Sequence, residues 1–381
     1  MSESIYITPE HELLRDQVAR FVRHDIEPNG DAWERAGSVP RQTLKQMAEL
    51  GWLGLMVPED FGGADVDALT NFAFAEALSE STYGGFVVTV LVHTDMASPH
   101  LVNAGTSTQK AHWLPGVVSG ETLTAVAITE AGAGSDVAGI RTTARRDGDA
   151  FVLDGSKLFI TNGVNADLYF VAARTAPLDA GSRGVSMFIV EKGTTGFRVG
   201  QVLDKAGWRS SDTAELVFDN CRIPASHLLG GENQGFRALM HNLQRERLAL
   251  AAMALGNASR ALATALAHVR ERRAFGGVLW DREAIRQKLA SLDAQRQAVR
   301  AFAWHCAWLV TQRRDCVREM SQLKALAGEL ANAVAYGCQQ CFGGMGYIRE
   351  TAIERLWRDA RILSIGGGAT EVMLEEAAKR L

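Results

Sequence analysis

Apolar residues recur three and four positions apart at Leu14, Val18, Phe21 and Val22, which predicts an amphipathic helix. Thr8 followed by Pro9 is a start signal for that helix, and Pro28 stops the pattern. A second helical pattern covers residues 41–50 and ends at Gly51, and the Gly- and Pro-containing stretch 52–63 reads as a loop. Helical patterns resume over 69–80 and 87–104. The period then changes. Short β-rich runs lie at 124–129, 150–154, 168–173, 185–191 and 214–219, with turn signals at Asp147-Gly148 and Asp154-Gly155. They predict an antiparallel sheet or barrel. From Gly235 onward, long stretches rich in Ala, Leu, Arg and Gln return to helical spacing.

The pattern divides the chain into an N-terminal helical domain (1–120), a middle β domain (121–231) and a C-terminal helical domain (232–381), an α+β multidomain protein. A length of 381 residues suits more than one core, and 47% hydrophobic against 22% charged residues describes a globular chain rather than a disordered one. A net charge of −4 argues against nucleic acid or an anionic membrane as partner. No uninterrupted apolar run reaches the roughly 18 residues of a membrane helix. The opening MSESIYITPEHE is acidic and polar, so no leader is expected and a cytoplasmic location is the default. Five scattered cysteines suit a reducing compartment. Cys338 and Cys341 form a C-x-x-C pair, but no second pair or spaced histidines complete a metal set, so no metal site is expected.

Chemistry concentrates in a few stretches. Residues 127–139, AITEAGAGSDVAG, follow a strand-like run with small residues that let backbone N–H groups approach a ligand, and Thr129 and Ser135 add hydroxyl donors. Residues 155–163 read GSKLFITNG, 272–276 read RRAFG, and 340–359 read QCFGGMGYIRETAIERLWRD. Taken together and in this order, these stretches resemble the acyl-CoA dehydrogenase family over essentially the whole chain. In the last one each defining position matches: Gln340, Gly343, Gly344, Gly346, Tyr347, Glu350, Arg355 and Asp359.

The resemblance implies that family's fold, with a C-terminal four-helix bundle, and FAD as cofactor. By the resemblance, Ala127, Thr129, Gly134 and Ser135 in the first loop and Phe159, Ile160 and Thr161 in the second border the flavin. Arg272 and Phe275, with Gln340, Gly343 and Gly344, hold FAD across a subunit interface, and Thr370 and Glu371 complete the cofactor set. Arginine's fixed fork of donors suits pyrophosphate oxygens. Position 283, usually Gln and near FAD in relatives, is Glu here, which puts that secondary contact in doubt.

Dehydrogenating a thioester requires a carboxylate to take the α-proton and donors for the developing enolate oxygen. Many relatives carry that acid in a Tyr-Glu-Gly-Thr loop near the C-terminus, where this chain has Gly366, Gly367 and Gly368. A subset resembling the isovaleryl and long-chain members carries it on an upstream helix, 29 residues before the Phe of the RxxFG motif. That spacing lands on Glu246, within Gln244-Arg245-Glu246-Arg247. Glu246 is therefore the expected base and the backbone N–H of Gly367 the expected oxyanion donor. Ser135, Gln244, Arg247 and Gly366–Gly368 are expected to touch the substrate, and Gly366 in place of a bulky Tyr implies room for long or branched acyl chains.

The resemblance further implies an acyl-CoA substrate, an electron-transferring flavoprotein as acceptor and a homotetramer built as a dimer of dimers. Two other readings share the fold: an acyl-CoA oxidase or a flavoprotein acting on a non-CoA compound, and a DNA-associated flavoprotein. The acidic balance speaks against the last.

Overall fold

A computed structural model describes residues 5–381, so the first four positions of the polar opening segment lie outside the described residues. Helix α1 (Pro9–Phe21) begins as its sequence predicts. The Thr8 hydroxyl accepts from the His11 backbone N–H, and the His11 ring accepts from the Thr8 N–H, so two free amides of the first turn are satisfied reciprocally. Then come α2 (Gly30–Ala36), α3 (Arg41–Glu49), α4 (Ala68–Leu78), α5 (Gly84–Leu91), α6 (Ser98–Ala104) and α7 (Ser107–Val118). Two expectations need correcting. The stretch 52–63 is irregular, but Trp52, Leu53 and Gly54 are buried, with Trp52 edge-on to Phe21 at 5.3 Å. The helical pattern over 87–104 is broken into α5 and α6 by a π-helical turn at Val92–Ala97.

The middle domain is a mixed sheet, not an antiparallel one. Its strands are β1 (Thr124–Ala127), β2 (Thr143–Asp147), β3 (Ala150–Thr161), β4 (Leu168–Arg174), β5 (Val185–Glu191), β6 (Phe197–Val202), β7 (Thr213–Pro224) and β8 (Leu228–Leu229). They lie in the order β6-β7-β3-β2-β4-β5-β8, and β1 pairs with β4 in parallel, Thr124 opposite Leu168. The parallel pair arises because the β2–β3 hairpin is an excursion between the two strands. Asp147-Gly148 makes the expected turn. Asp154-Gly155 does not: β3 runs on past a register shift there, with Gly155 at φ +143. A side chain at 155 would come within 2.7 Å of Thr142, so the strand crosses its neighbour only with glycine at that point.

Alternation along β4 explains how the domains join. Leu168, Phe170 and Ala172 face the large helical core, while Tyr169, Val171 and Ala173 face the core on the other side of the sheet.

The C-terminal domain holds α8 (Gly235–Glu271), a short hairpin β9 (Arg273–Ala274) and β10 (Gly277–Val278), then α9 (Glu283–Thr311), α10 (Val317–Gln340), α11 (Ala352–Ala360) and α12 (Thr370–Ala378). The bundle is α8, α9 and α10 with the shorter α11, and α12 packs on α10. Helix α8 is long and apolar enough by composition to span a membrane, although charged residues interrupt its apolar runs, and 78% of its most apolar 18-residue stretch is buried in this fold. It is the central core helix, flanked by α4, α9, α10 and α11.

One carboxylate joins the three domains. Asp359, on α11, accepts hydrogen bonds from the backbone N–H of Gly84 at 3.2 Å and of Trp208 at 2.6 Å. Burial pushes its pKa up to about 7.

Candidate active site

Glu246 sits on α8 with 8% of its surface exposed. Among the described residues its Oε1 has no hydrogen-bond partner. Loss of water raises its pKa to about 7, against a downward pull from Arg247. Arg247 is also buried and donates to the Ser321 hydroxyl at 3.3 Å, while Gln244 Oε1 accepts from the Cys316 thiol at 3.4 Å. Both residues thus tie α8 to the first turns of α10.

One helical turn beyond Glu246, Leu250 shares its face of α8 and meets the glycine loop. Gly367 has φ +64, and a Cβ built there would lie 2.0 Å from Leu250 Cδ1. A side chain at 367 would need Leu250 to move and would hold a positive φ, whereas Glu246 presents a carboxylate one turn from Leu250. Gly366 differs: a Cβ there would touch only Ile362, at 3.6 Å or more, so no other side chain has refilled the space within that reach. The Gly368 carbonyl accepts from Lys324 Nζ. Lys324 is buried on α10 and its pKa falls to about 8 through desolvation. This lysine went unnoticed in the sequence; its one signal was a cation inside the apolar stripe Leu323-Lys324-Ala325.

The two loops expected to border the flavin are pinned together. Glu130 accepts from Arg141 N at 2.7 Å, Thr142 N at 2.9 Å and Lys157 Nζ at 2.7 Å. Lys157 Nζ also reaches Ile128 O at 2.9 Å, and Leu158 N donates to Thr129 O at 2.8 Å. Lys157 is fully buried, and desolvation draws its pKa down to about 8 even beside Glu130. Sequence reasoning included Glu130 in the loop but not Lys157 as its partner. Between Lys157 and Ile160 the ladder with β7 is interrupted, and Phe159 is 63% exposed at φ +62. A large apolar ring displayed this way, on the strand that Leu158 ties to Thr129, suits one face of a flat conjugated cofactor. The side chains of Ile160 and Ala127 lie in the sheet core, so these two positions offer a ligand their main-chain atoms.

The remaining expected cofactor residues lie elsewhere. Arg272 caps α8, 26 residues past Glu246, which at 1.5 Å per residue is roughly 39 Å away. Phe275 is 89% exposed at φ +54, and Gly343 and Gly344 have open space where a Cβ would be. His268 stacks on Phe342 at 4.0 Å, which brings the ends of α8 and α10 together and places Arg272 near Gln340 and Gly343. Thr370, at the start of α12, donates to Glu329 at 2.8 Å, and Glu371 is exposed beside it. Glu283 opens α9 and accepts from Gln287 at 2.7 Å. Cys338 and Cys341 are free thiols, and burial pushes Cys338 up to about 12, so it is not a thiolate near neutral pH.

The geometry therefore offers a buried carboxylate whose pKa is raised to about 7, one turn from the leucine that meets a glycine loop, and two separate surfaces suited to a large cofactor. Models of the acyl-CoA dehydrogenase N-terminal, middle and C-terminal domains match residues 8–121, 125–221 and 233–381. The rat mitochondrial long-chain specific acyl-CoA dehydrogenase is 38% identical over 375 residues, covering 98% of this chain and 86% of the rat protein. Mitochondrial isovaleryl-CoA dehydrogenase of Arabidopsis thaliana is 35% identical over 379 residues, covering 97% and 91%. The crystal structure of acyl-CoA dehydrogenase from Geobacillus kaustophilus superimposes with a TM-score of 0.95 at 36% identity, covering 99% of both chains.

Proposed function

Because this chain belongs to the acyl-CoA dehydrogenase family, we propose that Glu246 is the base that removes the α-proton of its acyl-CoA substrate. The chain is an FAD-dependent oxidoreductase of acyl-CoA thioesters. The observation that carries the assignment is the buried Glu246 carboxylate, whose Oε1 has no hydrogen-bond partner among the described residues, on the same face of the helix as Leu250, which meets a glycine loop that carries no acid. A carboxyl near neutrality is half-ionised at working pH and a stronger base than an exposed glutamate. The Gly367 N–H donates to the thioester oxygen, which acidifies the α-carbon and holds the charge that develops as the proton leaves. Arg247, tethered to Ser321, keeps a positive charge beside the base. When bound, FAD supplies the acceptor for the hydride that leaves the β-carbon.

Phe159, Thr161, Thr129, Gly134 and Ser135 hold the flavin from one subunit, and Arg272, Phe275, Gln340, Gly343 and Gly344 hold its diphosphate from a second. Thr370 and Glu371 act beside them. The separation of roughly 39 Å along α8 supports this division between two copies. It is consistent with a homotetramer built as a dimer of dimers. The open space at Gly366 favours long or methyl-branched acyl chains, as processed in fatty acid β-oxidation. An electron-transferring flavoprotein is the acceptor, and the enzyme works in the cytoplasm.

Anaerobic addition of a panel of straight and branched acyl-CoAs tests the reading: the flavin absorbance bleaches with long or branched chains, and Glu246→Gln slows bleaching by roughly 10³-fold. Full bleaching by the Gln variant would remove Glu246 from its role.

A further inference from the structure

A second buried residue faces the base from the N-terminal domain. His100 on α6 has no exposed surface, and its Nε2 lies 3.9 Å from Glu246 Oε1. Both of these atoms lack a hydrogen-bond partner among the described residues. The other ring nitrogen is engaged: Asn242 Nδ2 donates to His100 Nδ1 at 2.6 Å, and Asn103 Nδ2 donates to Asn242 Oδ1 at 2.6 Å. Asn242 and Glu246 are one turn apart on α8, and His100 and Asn103 are one turn apart on α6. The two helices therefore meet through paired rungs, Asn103 against Asn242 and His100 against Glu246.

An imidazole that accepts at Nδ1 and is neutral carries its proton on Nε2. Neutrality follows from the surroundings. His100 packs against the Phe170 ring at 6.3 Å between centroids, and burial pulls its pKa down to about 3. The proton on Nε2 thus points at the carboxylate that the proposed reaction uses.

We propose that His100 is a positioning residue for the base: its neutral Nε2–H, set by Asn242, binds Glu246 Oε1 once the carboxylate ionises, leaving Oε2 to take the substrate proton. This inference rests on Glu246 being the base. The gap of 3.9 Å shrinks by about 1 Å to form an N–H···O⁻ bond. A donor to the ionised form lowers the carboxyl pKa, so the contact offsets part of the desolvation that raises it. It also fixes one oxygen, so that the carboxylate does not rotate between two equivalent poses.

The groups that act on Glu246 are few. Arg247 is its neighbour on α8, and His100 faces it from α6. Lys324 on α10 and Glu376 and Arg380 on the last turns act on Arg247 rather than on Glu246 directly. The glycine loop brings no titratable side chain at 366–368.

The test is the pH dependence of kcat/KM in the FAD-loaded enzyme carrying His100→Phe or His100→Gln. In the Phe variant the acid limb moves up by about one pH unit, a loss of about tenfold at pH 6 that fades above pH 9. The Gln variant, which keeps an N–H donor, stays close to wild type. Without substrate, the infrared band of the protonated carboxyl, identified by its absence in Glu246→Gln, shifts its titration midpoint in the same direction. An equal loss at every pH, an unmoved acid limb, or Phe and Gln variants that behave alike would each overturn the proposal. Should the Phe variant fail to hold FAD, Asn242→Ala decides: releasing the tautomer raises the infrared midpoint, and an unchanged midpoint refutes the role. An active Glu246→Gln enzyme would instead overturn the assignment of the base itself.

Discussion

At Glu246, burial and ionisation oppose each other, and the pH of the solution decides which prevails. The base acts ionised, so kcat/KM rises with pH through about 7 and levels off above it. Stability runs the other way. The folded carboxyl titrates near 7, above its ordinary 4.5, so the native state holds a proton that the unfolded chain has released. This contribution is complete below about 4.5 and is lost as pH rises through about 7. Glu246→Gln is therefore expected to unfold like wild type at pH 5 and to be more stable at pH 8 by on the order of 2 kcal/mol. Urea midpoints at the two pH values check this, and an equal increment at both would contradict it. Glu246 was legible from its spacing to Phe275. His100 and Lys324 were not, because their meaning comes from partners some 146 and 44 residues away in sequence.

Between elements, the fit of α8 against the glycine loop is the sharpest constraint. Gly367→Ala sets a Cβ against Leu250 at a positive φ, and a loss of about 1–3 kcal/mol together with a large fall in activity is expected. Leu250→Ala in the same chain removes the clash but not the backbone strain, so calorimetry recovers part of the loss. Recovery of all of it would mean that φ carries no strain. Other elements show where patterns of polarity inform and where they mislead. Thr8-Pro9 and the apolar spacing after it were enough for α1. Strands β2 and β6 escaped notice because both are largely solvent-facing, with sequences TARRD and FRVGQV that lack a clean apolar alternation. The Asp154-Gly155 pair reads as a turn in isolation, but pairing with β7 on one side and contact with Thr142 on the other carry the strand through.

Across the molecule, the order of helical, sheet and helical domains was readable from changes in period. The parallel pairing of β1 with β4 was not, since alternation along a strand says which face is buried and not which neighbour it has. The same limit applies to assembly. In the proposed dimer each site joins Glu246 of one subunit to Arg272 of another, so subunits carrying Arg272→Ala and Glu246→Gln should rescue each other. A hybrid dimer has one site with both lesions and one with neither, and random pairing of equal amounts restores about a quarter of wild-type activity. Measured activity no greater than the sum of the two parents would place each site within a single chain.

Helix α8 gives this division a mechanical side. It is one unbroken rod of 37 residues, about 56 Å long, with the base near its start and Arg272 at its end. In the proposed dimer, the helix that carries the base of one site also carries the arginine of the other. If one helix serves two sites, a kink introduced between Glu246 and Arg272 should impair proton removal and cofactor retention together.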